Sequence, residues 1–301
     1  MRGDIFISAC LLYNIAIWVF SLKRSKGADR LMDNRSIGIF DSGIGGLTST
    51  AYIMEELPKE RIVFFGDTAR TPYGSKSPEK IRQFSMQIGQ FMADNHVKMM
   101  VIACNTISAT ALNDLREKFP DIPIIGVISP TARVIANQCS PDDHIGIMAT
   151  RATVKSGVYV QKIREKNPSL RHIYQKECQA IVPLVEEGIT GRVMDELLRY
   201  YLDDFIEENR LDTLVLGCTH FPIVAENIHR LYPDLRLISS SREIATAVSI
   251  ELKNRNLEAD QKTGENVFYA SDISDSFVNM IQLILGEDRE KLNIQFKNLD
   301  L

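Results

Sequence analysis

The sequence predicts an α/β protein made of two similar domains, each with a mainly parallel sheet flanked by helices. Short apolar runs alternate with longer stretches in which apolar residues recur every three or four positions. Several runs are apolar throughout, which is typical of strands covered by helices on both faces. Part of this pattern also occurs twice, and a length of 301 residues suits two domains.

Nine apolar runs predict strands, and the stretches between them predict amphipathic helices. The strand candidates are 36–40, 61–65, 98–103, 122–127, 144–149, 171–175, 213–217, 235–239 and 266–270. The helix candidates are 79–95, 108–119, 152–166, 191–208 and 242–255. In sheets of this kind ligands bind at the carboxyl ends of the strands, and the informative residues of this chain follow strands.

An internal repeat relates the two halves of the chain. SIGIF and HIGIM share Ile-Gly-Ile, and their glycines Gly38 and Gly146 are 108 positions apart. VIACNT and LVLGCT both lead from a strand into a cysteine, and Cys104 and Cys218 are 114 positions apart. If the halves face each other about a pseudo-twofold axis, we expect these two thiols to meet across the cleft between the domains.

Composition and charge exclude several classes of protein. With 45% hydrophobic and 25% charged residues, neither extensive disorder nor a polytopic membrane protein fits. The net charge of −4 gives no electrostatic footprint for nucleic acid, so no nucleic-acid partner is expected. Five scattered cysteines, an odd number, favour reduced thiols in a cytoplasmic protein over a disulfide framework.

Residues 1–31 form an apolar N-terminal extension that needs its own interpretation. The run 5–22 is long enough for a marginal membrane-spanning helix. Most of the positive charge follows the run, which disfavours a secretory signal and would keep the remaining chain in the cytoplasm. Two interpretations stay open: an anchor, in which case the membrane is a partner, or upstream codons of a gene whose functional start is Met32.

Two thiols on opposite sides of a cleft predict proton transfer on both faces of one carbon atom. One thiolate would remove a proton and the other thiol would return one, which inverts the carbon centre. A racemase or epimerase that uses neither a metal nor an organic cofactor inverts its substrate in this way. Donors that could hold the substrate follow both thiols: Asn105, Thr106, Thr219 and His220.

Each feature also has a simpler structural interpretation. A lone buried cysteine is usually a small apolar side chain, and Cys139 and Cys178 keep that interpretation. Cys218 with His220 is too sparse for a zinc signature, so no metal site is predicted. The glycine-rich segment 41–49 could bind an anion at a helix start, but it lacks the lysine of a nucleotide-binding loop.

Six collinear motifs resemble the glutamate racemase family. They are DSGIGGL (41–47), GDTARTPYG (66–74), ACNTISA (103–109), VPLVEEG (182–188), LGCTHFP (216–222) and FYASD (268–272). The resemblance implies interconversion of L- and D-glutamate between two α/β domains, without a cofactor, to supply D-glutamate for peptidoglycan. It also implies one domain of residues 32–128 plus 240–301 and a second domain of residues 129–239.

The resemblance further assigns roles to residues. It implies that Cys104 acts on D-glutamate and Cys218 on L-glutamate, with support from Asp41, Glu186 and His220. The implied substrate contacts are Asp41, Ser42, Tyr73, Gly74, Asn105, Thr106, Thr219 and His220. The expected partners are glutamate and a second copy of the chain in a homodimer.

Two alternatives to a glutamate racemase follow from the same residues. The first is a racemase of aspartate or another acidic amino acid, against which the Tyr73-Gly74 motif argues. The second is a binding or regulatory protein that keeps the fold without activity. Retention of both thiols and of every flanking donor argues against that alternative.

Overall fold

The computed structural model describes residues 32–286 and 292–299, so the apolar run 5–22 lies outside the described residues. From Asp33 onward the chain forms one compact unit that contains two parallel sheets. In the described ranges, no helix is both long and apolar enough to cross a membrane.

The described strands form a six-stranded sheet and a four-stranded sheet. Their bounds are β1 Ile37–Asp41, β2 Ile62–Gly66, β3 Met99–Ile102, β4 Ile124–Gly126, β5 Ile145–Ala149, β6 Ile173–Glu177, β7 Thr213–Gly217, β8 Arg236–Ser239, β9 Val267–Ala270 and β10 Asn293–Phe296. The first sheet has the order β10-β9-β2-β1-β3-β4 and the second has the order β6-β5-β7-β8. Every recorded strand pair is parallel.

Helices connect the strands, as parallel pairing requires. Their bounds are α1 Leu47–Glu56, α2 Pro78–Asp94, α3 Asn105–Thr110, α4 Leu112–Lys118, α5 Ile128–Gln138, α6 Arg151–Ser156, α7 Val158–Lys166, α8 Ile181–Glu186, α9 Arg192–Asn209, α10 Ala225–Leu231, α11 Ser240–Arg255 and α12 Asp275–Leu285. We call the first sheet with α1–α4 the six-stranded lobe, and the second sheet with α6–α10 the four-stranded lobe.

The strand order repeats between the lobes, as the sequence pattern predicts. The order β2-β1-β3-β4 in one lobe matches β6-β5-β7-β8 in the other. The first strand of each repeat also starts in the same register with its neighbour, Ile37 opposite Ile62 and Ile145 opposite Ile173. Cys104 follows β3 and Cys218 follows β7, so the two thiols occupy equivalent positions in the two lobes.

Burial on both faces explains why the central strands are continuously apolar. Along β1, Ile37 and Ile39 pack into one apolar cluster, whereas Phe40 packs into another on the opposite face. Along β2, Phe64 and Phe65 divide between the two clusters in the same way. Successive strand residues point to opposite faces, so both sets must be apolar when helices cover both faces.

The structure corrects two helix predictions and adds one strand. The predicted helix 108–119 is two helices, because the backbone of Ala111 (φ −124°, ψ −1°) leaves the helical region. The predicted helix 152–166 is broken at Gly157, whose φ of 66° favours glycine. Strand β10 has the half-polar sequence NIQF at the edge of the first sheet, where no continuous apolar run is needed.

The two lobes also suit the predicted domains. The six-stranded sheet takes strands from 37–126 and 267–296, and the four-stranded sheet takes all of its strands from 145–239. Helix α5 begins at the predicted boundary near residue 128. We retain residues 32–128 plus 240–301 and residues 129–239 as proposed domains.

Candidate active site

The first thiol, Cys104, is held by groups of the six-stranded lobe. Cys104 follows β3 and is the N-cap residue of helix α3. Its Sγ accepts a hydrogen bond from the backbone N–H of Ile107 at 3.5 Å. The Ser42 hydroxyl lies 3.4 Å from the same sulfur. Burial and the nearby Asp41 carboxylate raise the pKa of the Cys104 thiol to about 12, although both hydrogen bonds favour the thiolate.

The second thiol, Cys218, lies beside an imidazole in the four-stranded lobe. Its Sγ is 3.7 Å from Nδ1 of His220, and Nε2 of His220 is 2.9 Å from Oε1 of Glu186. Burial disfavours the imidazolium, but the hydrogen bonds and charges of Cys218 and Glu186 outweigh it and raise the pKa of His220 to about 10. His220 is therefore a cation at neutral pH that can deliver a proton to the sulfur.

Asp41 connects groups that lie beside the two thiols, since it precedes Ser42 in the chain and lies within hydrogen-bonding distance of Thr219. It ends β1 and is fully buried, and its carboxylate accepts a hydrogen bond from the backbone N–H of Gly43 at 3.2 Å. The Thr219 hydroxyl, from the other lobe, is 3.4 Å from Oδ1 of Asp41. Burial raises the pKa of Asp41 to about 6, against the charge of His220, which lowers it. The group is thus ionised at neutral pH and can act as a base.

The donors after Cys104 contact the opposite lobe. Oδ1 of Asn105 accepts a hydrogen bond from the Tyr159 hydroxyl at 2.6 Å, and its Nδ2 donates to Ser240 at 3.1 Å. The Thr106 and Thr150 hydroxyls are 2.9 Å apart. These contacts fix the two side chains at the seam between the lobes, where a ligand between the thiols would lie.

Tyr73 and Gly74 lie on a loop anchored by a buried carboxylate. Asp67 is fully buried and accepts hydrogen bonds from the Tyr73 hydroxyl, from Nε of Arg70 at 2.7 Å and from the Ser271 hydroxyl at 2.8 Å. Gly74 fits closely against Thr150, since an added Cβ would lie 2.5 Å from the Thr150 Cβ. The anchored loop therefore meets the four-stranded lobe.

The structure thus brings the sequence-predicted residues into one region. Asp41, Ser42 and Cys104 are linked on one side, and Glu186, Cys218, Thr219 and His220 are linked on the other. Asn105, Thr106, Tyr73 and Gly74 line the seam. Their assignment to catalysis and substrate binding stays a prediction.

The other described cysteines lie outside these contacts. Cys139 and Cys178 are buried and free, as are both thiols of the site. Cys139 is 3.1 Å from Nη2 of Arg236 at the start of β8. Among the described residues, no cluster of three or more His, Cys, Asp or Glu side chains could hold a metal ion.

Comparison with known proteins identifies the family. A sequence model of the Asp/Glu/Hydantoin racemase family matches residues 48–248. The chain belongs to this family. The glutamate racemase of Persephonella marina is 42% identical over 262 residues, 86% of this chain and 97% of that protein. The glutamate racemase of Aquifex aeolicus is 39% identical over 255 residues, 84% of this chain and 95% of that protein.

Solved racemase structures agree in fold. The structure of glutamate racemase from Francisella tularensis in complex with D-glutamate matches with a TM-score of 0.81 at 36% identity. The match covers 89% of this chain and 99% of that chain. The resemblance to glutamate racemases and the predicted α/β fold class are therefore confirmed.

Sequence reasoning missed several residues that support the candidate site. Asp67, Arg70 and Ser271 hold the Tyr73 loop, and Tyr159 holds Asn105. The motifs GDTARTPYG and FYASD contain the first three, so a signal for them was present. Their connection was not visible because Asp67 and Ser271 are 204 positions apart.

Proposed function

We propose that this chain interconverts L-glutamate and D-glutamate by proton transfer at the α-carbon, with Cys104 and Cys218 as the two acid/base groups. One observation carries the proposal: the thiols follow equivalent strands of the two lobes, and each has its own proton-exchanging neighbour. Glutamate as substrate is supported by relatives at about 40% identity over most of the chain.

In the direction from D- to L-glutamate, the Cys104 thiolate takes the α-proton. The Cys218 thiol then donates a proton to the opposite face of the planar carbanion, which gives L-glutamate, a Cys104 thiol and a Cys218 thiolate. The reverse direction starts from that state, with the roles exchanged. Atoms and charge balance within the two thiols, so the cycle needs no cofactor.

The neighbours of the thiols suit these two roles. Asp41 is a carboxylate at neutral pH, so it can receive the Cys104 proton when the site resets, although its charge also raises the pKa of that thiol. His220 is protonated and can return a proton to Cys218, while Glu186 stabilises the imidazolium. The α-ammonium of a bound glutamate would add a positive charge beside Asp41, which favours the thiolate of Cys104.

The remaining predicted residues would hold glutamate between the thiols. Hydroxyls and amides of Ser42, Asn105, Thr106 and Thr219 are buried donors suited to carboxylates. The backbone of Tyr73 and Gly74 reaches the same seam. Fixing the α-carbon between two bases contributes to catalysis because the reacting atoms need no further alignment.

Assays with purified protein test this function. We expect racemisation of glutamate, with little or none of aspartate, when a panel of acidic amino acids is followed by chiral chromatography. Cys104→Ala and Cys218→Ala should each lower kcat by about 100-fold or more, because each removes one proton-transfer group. Cys139→Ala is the matched control and should leave the rate unchanged. Preference for aspartate would favour the alternative substrate, and full activity of either thiol variant would contradict the mechanism.

The biological setting is part of the same proposal. D-glutamate would serve peptidoglycan synthesis in the cytoplasm, and the buried, free thiols are consistent with a reducing compartment. We also propose a homodimer, whose mass would be about twice 34.0 kDa.

Comparing the membrane partition of chains that start at Met1 and at Met32 would decide whether residues 5–22 act as an anchor.

A further inference from the structure

A cavity of about 560 Å³ lies at the outer side of the seam between the lobes. From the six-stranded lobe it is lined by the loop 74–78, by Arg82 and by Ala109 and Thr110 of α3. From the four-stranded lobe it is lined by residues of α6 (Arg151–Ser156). Both lobes therefore contribute walls to one cavity.

The lining of this cavity is strongly basic. Lys76 and Arg82 come from one lobe and Arg151 and Lys155 from the other, and the described lining residues include no acidic side chain. Arg82 pairs with Asp114 at 3.2 Å and Arg151 pairs with Glu177 at 3.1 Å. Neither carboxylate belongs to the lining. Within the described part of the chain, Lys76 and Lys155 have no carboxylate oxygen within 4.0 Å.

The cavity adjoins the proposed active site. Gly74 belongs both to its lining and to the proposed substrate contacts, and it packs against Thr150, which is hydrogen-bonded to Thr106. Thr150 also precedes Arg151, which lines the cavity. The Gly74–Thr150 contact thus lies between the lining of the basic cavity and Thr106, a proposed substrate contact.

Local charge matters here because the protein as a whole repels the substrate. The chain has a net charge of −4, and glutamate is an anion at neutral pH. A cluster of cations at a cleft raises the local concentration of anions and their rate of entry, to an extent that salt reduces. Hydroxyls of Ser75, Ser77 and Ser156 also line the cavity and can donate to carboxylates.

We propose that this cavity is an outer carboxylate-binding site, through which glutamate enters when the Gly74–Thr150 contact opens. Lys76 and Lys155 bind the carboxylates of the incoming amino acid and of the departing product. The inference rests on the proposed function, since it takes glutamate as the anion. It assigns to these lysines a role in substrate capture and no role in proton transfer.

Charge reversal at both lysines tests the outer site. The double variant Lys76→Glu with Lys155→Glu is expected to lower kcat/KM for both enantiomers by about ten-fold at low ionic strength, and by less than about two-fold near 0.5 M salt. The change should lie in KM, with kcat unaltered. Lys76→Arg with Lys155→Arg should keep the wild-type values because it keeps the charge.

The matched control reverses the charge of two exposed lysines at the opposite ends of the strands. Lys59 precedes β2 and Lys118 precedes β4, so both lie at the amino ends of strands, and Lys59→Glu with Lys118→Glu changes net charge equally. Equal losses in the two charge-reversal variants, or a wild-type kcat/KM independent of ionic strength, would overturn the outer site while leaving the racemase function intact. If the wild-type protein racemised no glutamate, the proposed function and this inference would both fail.

Discussion

Asp41 is a buried carboxylate whose proposed use in catalysis carries a cost in stability. Its side chain has no exposure to solvent, and burial raises its pKa to about 6. Because the folded-state pKa lies above the unfolded value, the contribution of Asp41 to stability is fully present below about pH 4. It is lost as the pH rises through about 6.

Asp41→Asn therefore has an expected effect that depends on pH. At pH 8 the variant should be more stable than the wild type by about 3 kcal/mol, the value of a pKa difference of about two units. Near pH 4 the gain should vanish. Urea denaturation at both pH values measures this, and an equal gain at both would contradict the assignment of a buried charge.

His220 loses its stabilising contribution in the same direction of pH but over a higher range, because its acidic neighbours raise its pKa. Its stabilising contribution is present below about pH 6.5 and is lost as the pH rises towards about 10. Glu186→Gln removes the carboxylate 2.9 Å from Nε2, so the pKa of His220 should fall. A titration of the His220 ring protons by NMR measures the change, and an unaltered midpoint would show that Glu186 does not stabilise the imidazolium.

The loop from β2 to α2 is positioned through one carboxylate. Asp67 accepts hydrogen bonds from the loop residues Arg70 and Tyr73 and from Ser271 after β9. Thr71 on the same loop donates to Glu186 across the seam at 3.3 Å. The loop that presents Tyr73 and Gly74 thus also contacts the carboxylate beside His220.

Tyr73→Phe tests the anchoring of this loop. The change removes one donor to a buried carboxylate, which should cost about 2 kcal/mol of stability. It should also raise KM more than it lowers kcat, because the loop presents the substrate site. Denaturation and steady-state kinetics measure both, and Tyr200→Phe at a largely exposed position is the control. Unchanged KM and stability would show that the hydroxyl does not position the loop.

Local sequence patterns predicted the strands better than the helix breaks. A strand buried on both faces is apolar at most positions, so β1, β3 and β7 are visible as runs. The break at Ala111 has no such signature, because alanine favours a continuous helix. Strand β10 lies at a sheet edge and carries polar residues, so its pairing with β9 was not predictable from periodicity.

The two lobes together make the site, and the repeat made this visible in the sequence. Equivalent strand ends place Cys104 and Cys218 in corresponding positions, which two local motifs could indicate. The supporting contacts come from distant segments, such as Tyr159 with Asn105 and Ser240 with Asn105, and no local pattern encodes them. The thiols were therefore predictable, whereas their supporting network required the tertiary structure.

Both thiols are nearly excluded from solvent, so the lobes must separate for substrate to enter. Cys104 and Cys218 are 4% and 6% exposed. Hydrogen bonds between Thr106 and Thr150 and between Asp41 and Thr219 cross the closed seam. A closed site would shield the proposed carbanion from water, so that proton transfer would be confined to the two thiols.

The isotope content of the product tests the two-thiol mechanism most directly. The wild-type protein is mixed with D-glutamate in D2O, and the enantiomers are separated at early times and analysed by mass spectrometry. If Cys104 removes the proton and Cys218 donates a different one, the first L-glutamate formed should carry deuterium at the α-carbon, while unreacted D-glutamate keeps protium. L-glutamate that retains the substrate's own proton would mean that a single group carries it from one face to the other, which contradicts the mechanism.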